Sequence, residues 1–359
     1  MRKRTEGESG VTELTALPGL HVLDVPRPQP DRGHWIERTP HPRLMLFAGR
    51  SHPELAQRIA DELGIELGAV ELRTFANGEI YCRYLESIRG ADVFIVQSPA
   101  TSPSDQLWEL FVMINSAKLA SAQRITAVLP WYPYSRQDKK SAPREPITAK
   151  LVADFLQVAG VDRVLTMDLH AGQIQGFFDI PVDHMTALTL FSQYFHDQGL
   201  LGEDVVSVSP DAGRAKMARR FGDLLGGKVA LLNKTRPTHD VAAHTEVIGE
   251  VEGKIAIMSD DIIVTGGTLL SGAAALKQAG ARMVYACATH ALFPDGAMQR
   301  LAESEIEQIV VTDTVPVNPL DRPDKLRVLT VSRILAESIR NVFSDESVSA
   351  IFAGENQLF

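Results

Sequence analysis

The chain has 359 residues, 45% apolar and 23% charged, with a formal net charge of -9. That length suits two domains with a sizeable core in each. The diffuse acidic balance argues against nucleic acid as a partner, because neutralising its phosphates needs a basic surface, but it allows a small anionic substrate met by a few local cations.

The opening MRKRTEGESG carries positive charge but no apolar stretch behind it, so it does not read as a signal peptide. No apolar run nears the ~18 residues of a membrane span. A cytoplasmic protein with no membrane partner is expected, in which Cys82 and Cys287, found in no motif, are reduced and partly buried. Residues 1–42 hold six prolines and no sustained period of 2 or 3.6, and read as a mostly disordered extension. RLMLFAG (43–49) is a strand. SHPELAQRIADELG (51–64) is a helix, with Ser51 as its cap, Glu54 completing a capping box, and Leu55, Ile59 and Leu63 on one face. FANGEI (75–80) reads as strand, turn and strand.

ADVFIVQS (91–98), RITAVLPW (124–131) and DRVLTMDLH (162–170) are strands alternating with helices at 104–122 and 147–160. This is the pattern of right-handed βαβ units and a parallel sheet. The theme repeats, with strands EDVVSVSPD, KVALLNKTRP, KIAIMSDDI and RMVYACATH, helices at 212–226 and 267–280, and a last helix at 332–345. Two similar α/β domains are expected, 43–185 and 186–345, joined near Pro181–Thr186 and followed by a tail, 346–359.

Ligands of open parallel sheets bind beyond the carboxyl ends of the strands, so the residues after each strand are the candidates. In SDDIIVTGGT (259–268), Gly266 and Gly267 open a helix whose free N–H groups suit a phosphate, and Thr265 and Thr268 add hydroxyls. Asp260 and Asp261 can accept hydrogen bonds from sugar hydroxyls. Together they suit a ribose 5-phosphate, although Asp and Thr also cap helices and glycine is common in turns. NKTRP (233–237) sets Lys234 and Arg236 in a loop able to close on polyphosphate. Arg136 and Gln137 follow another strand, where they could clamp phosphate or read a base. His170 in DLH and Asp211 in SPD could bind a metal or its waters, and Asn77 and Glu79 could face an adenine or serve their turn. GDLLGGKV (222–229) is not a phosphate-binding P-loop, because Val229 stands where a hydroxyl must reach the metal and the context is helix-to-strand. HDVAAH (239–244) lacks the spacing and the glutamate of the helical zinc motif.

In kind and order these stretches resemble the ribose-phosphate diphosphokinase (phosphoribosyl diphosphate, PRPP, synthetase) family of the phosphate-dependent class, from about Arg43 to Phe352. DLHAGQIQGFFDIPVDH is the most specific of them. The resemblance implies two tandem phosphoribosyltransferase-like domains, each a mainly parallel sheet flanked by helices. It implies transfer of the diphosphoryl group of ATP to the C1 hydroxyl of ribose 5-phosphate, with Mg²⁺, giving PRPP and AMP. By motif position, Asn77, Gly78, Glu79, Arg136 and Gln137 would bind ATP. His170 and Asp211 would hold the metal or its waters, and Lys234 and Arg236 would be the catalytic cations. Arg236, Asp260, Asp261, Val264, Thr265, Gly266, Gly267 and Thr268 would bind ribose 5-phosphate. A homo-oligomer, a hexamer built from dimers, activated by inorganic phosphate and inhibited by ADP, is also implied.

The chain departs from the family at four places. Val264 stands where members carry an aspartate near the ribose hydroxyls, Thr235 where they often carry arginine, and Asn77 where many carry aspartate, and residues 1–42 are an unusual extension. Val264 and Thr235 leave open a weakly active or non-catalytic regulatory paralogue. A phosphoribosyltransferase shares the acid-acid-loop signature but has one such domain.

Overall fold

A computed structural model describes residues 43–235, 244–294, 296–318 and 322–349. The expected N-terminal extension, Arg236, most of HDVAAH and the last part of the tail lie outside the described residues. In chain order the elements are β1 (Leu44–Ala48), α1 (Pro53–Leu63), β2 (Val70–Thr74), β3 (Ile80–Tyr84), β4 (Asp92–Val96), α2 (Pro103–Leu119), β5 (Arg124–Leu129), α3 (Thr148–Ala159), β6 (Arg163–Met167) and β7 (Val182–Met185). They continue with α4 (Leu188–Asp197), β8 (Val205–Ser209), α5 (Ala215–Leu225), β9 (Lys228–Thr235), β10 (His244–Ile248), β11 (Ile255–Ile263), α6 (Gly267–Gln278), β12 (Met283–Ala291), α7 (Ala297–Ala302), β13 (Gln308–Thr312), β14 (Leu326–Leu329) and α8 (Ser332–Phe343).

The first sheet is parallel, in the order β1-β4-β5-β6-β7; the second has the order β10-β9-β8-β11-β12-β13-β14 and is parallel except where β10 runs against β9. β2 and β3 form a separate hairpin. Strands covered on both faces read as unbroken apolar runs, and their period of 2 divides the side chains between two cores. Phe94 and Val96 of β4 join a core that also holds Val205, Ile257, Val310 and Leu335 from the second half, so one apolar layer runs beneath both sheets. Val93 and Ile95 point the other way, into a core with Leu110, Met113 and Leu156. The outer face of the second sheet has its own core around Met258, Leu269 and Leu276.

A buried polar seam also links the halves. Asp168, just past β6, has φ 32, a left-handed backbone that costs most residues energy but that Asp tolerates. Its Oδ2 accepts hydrogen bonds from Ala187 N (2.8 Å) and from the Thr289 hydroxyl of β12 (2.6 Å). His290 Nε2 lies 3.1 and 3.2 Å from the Met167 and Asp168 carbonyls, so it donates to them. Ser98 donates to the Thr314 carbonyl, and Arg58 pairs with Asp313 at 2.7 Å.

One expectation is corrected. Ser51 does not cap α1. Its hydroxyl bonds Gln97 Oε1 at 2.5 Å and accepts from Ser98 N at 2.6 Å, tying the ends of β1 and β4, while the helix starts at Pro53, where the absent N–H costs nothing. Within Pro181–Thr186, Val182–Met185 pair in register with Val164–Met167 as the edge strand β7, and Met185 joins the shared core. The helix–strand reading of GDLLGGKV holds, with α5 ending at Leu225 and β9 starting at Lys228. Cys82 and Cys287 are free, half-buried and buried. No described helix is long and apolar enough to cross a membrane.

His184 of β7 accepts a hydrogen bond on Nε2 from Leu169 N (2.9 Å), and burial pushes its pKa down to about 4. Burial lowers His290 as well. Both imidazoles are therefore neutral when folded, and the unfolded chain binds more protons between about pH 6.5 and pH 4. Their contribution to stability is present above pH 6.5 and is lost as pH falls through that window. Urea midpoints measured across pH 7 to 4 should fall, and His184→Gln, which keeps an acceptor for Leu169 N, should flatten the fall; an unchanged slope would place the acid sensitivity elsewhere.

Candidate active site

The second sheet reverses its winding at β8, whose successor β9 lies on one side and β11 on the other. Such switch points open a crevice at the strand ends. Asp211 follows β8, while β11 runs beyond β8 and carries Asp260 and Asp261 past their last paired residues, Met258 and Val208. From the first sheet, β6 leads through Asp168 to His170, and β5 leads to the loop bearing Arg136. The result is a cleft of about 690 Å³ lined by Arg136, Lys139, His170, Asp211, Arg214 and Asp261, among others. Four of the residues expected from sequence thus converge, three from loops after strands and Asp261 from the end of β11.

At the centre of the cleft is the Asp261 carboxylate, only 2% exposed. His170 Nδ1 lies 2.8 Å and Arg214 Nη2 2.6 Å from the same oxygen, Oδ2, and the two nitrogens are 2.9 Å apart. A hydrogen bond from His170 and the Arg214 ion pair, both on this one oxygen, account for the triangle. Donation through Nδ1 leaves the lone pair of His170 on Nε2, the tautomer a cation-binding imidazole needs. Burial alone would raise the Asp261 pKa, but the His170 hydrogen bond and the Arg214 charge outweigh it and hold the group down at about 2. Asp260 is the opposite case: burial, then the neighbouring Asp261, push it up to about 8. The acid pair therefore carries close to one negative charge near neutral pH, matched by one guanidinium.

The two acids face different spaces, as successive residues of a strand do. Asp260 lines a small enclosed cavity of about 10 Å³ with Asp168, Ser259 and Cys287. Its Oδ1 accepts from Asp261 N at 2.9 Å and lies 3.9 Å from Arg214 Nε. The loop after β11 has Val264 half-buried and Thr265 exposed, and Gly266 is in the left-handed region (φ 76). No side-chain hydrogen bond caps α6 at Gly266, and a helix start of this kind directs backbone N–H groups toward an anion. Arg300 Nη2 donates to the Thr265 carbonyl at 3.2 Å.

Other expected residues are not among those that line the cleft. Gln137 is exposed and braces the start of α3, accepting from the Thr148 hydroxyl at 2.6 Å. Asn77, Gly78 and Glu79 form the exposed tip of the β2–β3 hairpin, where Asn77 Oδ1 accepts from Glu79 N at 3.3 Å and Gly78 has φ 92. The hairpin is stiffened by Arg73, stacked 4.4 Å from the Tyr81 ring centroid and 5.2 Å from that of Phe75. The backbone of Lys234 pairs with Thr245 near the end of β9, in the antiparallel pair of β9 and β10.

Sequence reading missed Arg214. It stands three residues past Asp211, in the same strand-end segment, and scanning that segment for cations would have found it. It also missed Asp168, whose neighbour His170 drew the attention. Among the described residues no three His, Cys, Asp or Glu side chains gather as a metal site. His170 Nε2 and the Asp211 carboxylate offer a cation one nitrogen and one oxygen donor. Mg²⁺ takes oxygen ligands and keeps several waters, so the carboxylate suits it directly and the imidazole would meet it through a bound water.

The family model described as the N-terminal domain of ribose phosphate pyrophosphokinase matches residues 44–160, and that described as the phosphoribosyl synthetase-associated domain matches residues 228–353. The chain is 48% identical over 309 residues to the ribose-phosphate pyrophosphokinase of Fusobacterium nucleatum, covering 86% of this chain and 98% of that one. It is 46% identical over 326 residues to that of Corynebacterium efficiens, covering 90% and 99%. The crystal structure of phosphoribosylpyrophosphate synthetase from Mycobacterium smegmatis matches with a TM-score of 0.80 at 47% identity, over 84% of this chain and 99% of that one.

An alanine at Gly266 would put its Cβ 3.0 Å from the Leu301 side chain in a left-handed backbone, whereas at Gly267 the nearest contact is Thr265 Oγ1 at 3.7 Å. Gly266→Ala should therefore lower unfolding free energy by roughly 1–2 kcal/mol and Gly267→Ala by less than about 0.5 kcal/mol. Equal losses by chemical denaturation would contradict this loop conformation.

Proposed function

The chain belongs to the ribose-phosphate pyrophosphokinase family, and we infer that it carries out the family's reaction in the cleft just described: the diphosphoryl group of ATP passes to the C1 hydroxyl of ribose 5-phosphate, giving PRPP and AMP. The observation that carries this assignment of the cleft is the convergence of Arg136, His170, Asp211 and Asp261, from both sheets, at the switch point between β8 and β11. The tandem domains are taken to divide at about residue 185, between β7 and α4.

Ribose 5-phosphate would place its phosphate at Thr265–Thr268, on the uncapped start of α6, with its hydroxyls toward Asp260 and Asp261. Arg136 would clamp the polyphosphate of ATP. The hairpin tip Asn77–Glu79 and Gln137 would contribute to the nucleotide from outside the cleft, which supports a site completed by another subunit of a homo-oligomer, with hexamers of dimers as the expected form. Mg²⁺ at His170 Nε2 and Asp211 would neutralise the polyphosphate charge. Lys234 and Arg236 would close over the transferring group. Phosphoryl chemistry of this kind depends on positioning and charge stabilisation more than on covalent participation, and closure also excludes water that would otherwise hydrolyse ATP. Inorganic phosphate is the expected activator.

Val264 cannot accept a hydrogen bond or a proton. The acids left beside the sugar are Asp260 and Asp261, and the account requires that these two suffice. With ATP, Mg²⁺, inorganic phosphate and ribose 5-phosphate, the protein should release AMP only when the sugar phosphate is present, and Lys234→Ala should lower the rate by a factor of roughly 10² or more. Val264→Asp should change the wild-type rate modestly. Sugar-phosphate binding without AMP, with turnover restored by Val264→Asp, would make the chain a silenced, regulatory member instead.

A further inference from the structure

Arg214 contacts both residues that the proposed reaction assigns to the cation and both acids that it assigns to the sugar hydroxyls. Its backbone N–H donates to Asp211 Oδ1 at 3.1 Å. Its guanidinium meets Asp261 Oδ2 at 2.6 Å, lies 2.9 Å from His170 Nδ1, and reaches within 3.9 Å of Asp260 Oδ1. Its side chain is 14% exposed, so these contacts are made in a largely desolvated place, where a charge-assisted hydrogen bond is strong and an unpaired carboxylate is costly. The other oxygen of Asp261, Oδ1, is buried and has no hydrogen-bond partner among the described residues.

We propose that Arg214 is the positioning residue for ribose 5-phosphate: by holding Oδ2 of Asp261, it presents Oδ1 of the same carboxylate as the acceptor for a sugar hydroxyl. This rests on the reading of the cleft as the ribose 5-phosphate site. A carboxylate with one oxygen held by a hydrogen bond and an ion pair resists rotation, and so its second oxygen has a set direction. Without the guanidinium, the buried Asp261 keeps only the His170 hydrogen bond and is free to turn or take up a proton, and either change removes the oriented acceptor. Lysine supplies the charge but not the planar fork that spans Asp261 and Asp260 together, so it can replace only part of the function.

The test is steady-state kinetics of AMP formation with Arg214→Met and Arg214→Lys, together with the thermal shift produced by ribose 5-phosphate alone. The expected result is a KM for ribose 5-phosphate raised roughly tenfold or more in Arg214→Met, as for a lost charge-assisted hydrogen bond, with the KM for ATP changed less than about threefold. Arg214→Lys should fall between wild type and Arg214→Met, and the shift on adding ribose 5-phosphate should shrink in the same order. If Arg214→Met does not fold, Arg214→Lys decides alone, by the same split between the two KM values. An unchanged KM for ribose 5-phosphate, or equal rises for both substrates, would overturn the proposal. A wild-type protein that makes no AMP from ATP and ribose 5-phosphate would instead overturn the functional reading beneath it.

Discussion

One carboxylate oxygen, Oδ2 of Asp261, accepts a hydrogen bond from an imidazole carried by one sheet and pairs with a guanidinium carried by the other. Much else in the structure serves that meeting. β11 must run past β8 to bring the acid to the crevice, and the left-handed turn at Asp168 must send the chain on to His170. The seam of Asp168, Thr289, His290 and Thr314 fixes the two strand ends against each other, because its buried groups find their partners across the halves. A shared apolar core beneath both sheets supplies the bulk attraction, and the polar seam supplies the register.

The acid pair shows how burial and charge divide labour between chemically identical neighbours. Asp261 has a hydrogen-bond donor and a cation and stays ionised; Asp260, enclosed beside it with neither so close, is pushed toward its neutral form. A pair arranged this way can present one firm acceptor and one group able to hold a proton close to neutral pH. Val264, which follows β11, adds no acid to this pair.

Most strands and helices were legible because parallel strands covered on both faces are continuous apolar runs, and helices of 10–20 residues separate them. The strand-end rule also identified Arg136, His170, Asp211 and Asp261. Other features depend on long-range partners that no local pattern encodes. Ser51 has the sequence context of a cap, yet a strand 46 residues away takes its hydroxyl. Val182–Met185 are too short to signal a strand until β6 offers its edge. The division of roles between Asp260 and Asp261 follows from strand alternation once β11 is known to continue to Ile263. Gln137 and the Asn77–Glu79 tip do not line the cleft, which a single chain's sequence does not reveal.

The most direct test is a crystal structure with ribose 5-phosphate, Mg²⁺ and a non-hydrolysable ATP analogue. The account predicts the sugar phosphate at the start of α6, a ribose hydroxyl within hydrogen-bonding distance of Asp261 Oδ1, and the cation on the Nε2 side of His170. A sugar bound outside this cleft, or bound in it with Asp261 still out of reach, would contradict the claim that this carboxylate joins the two halves into one active site.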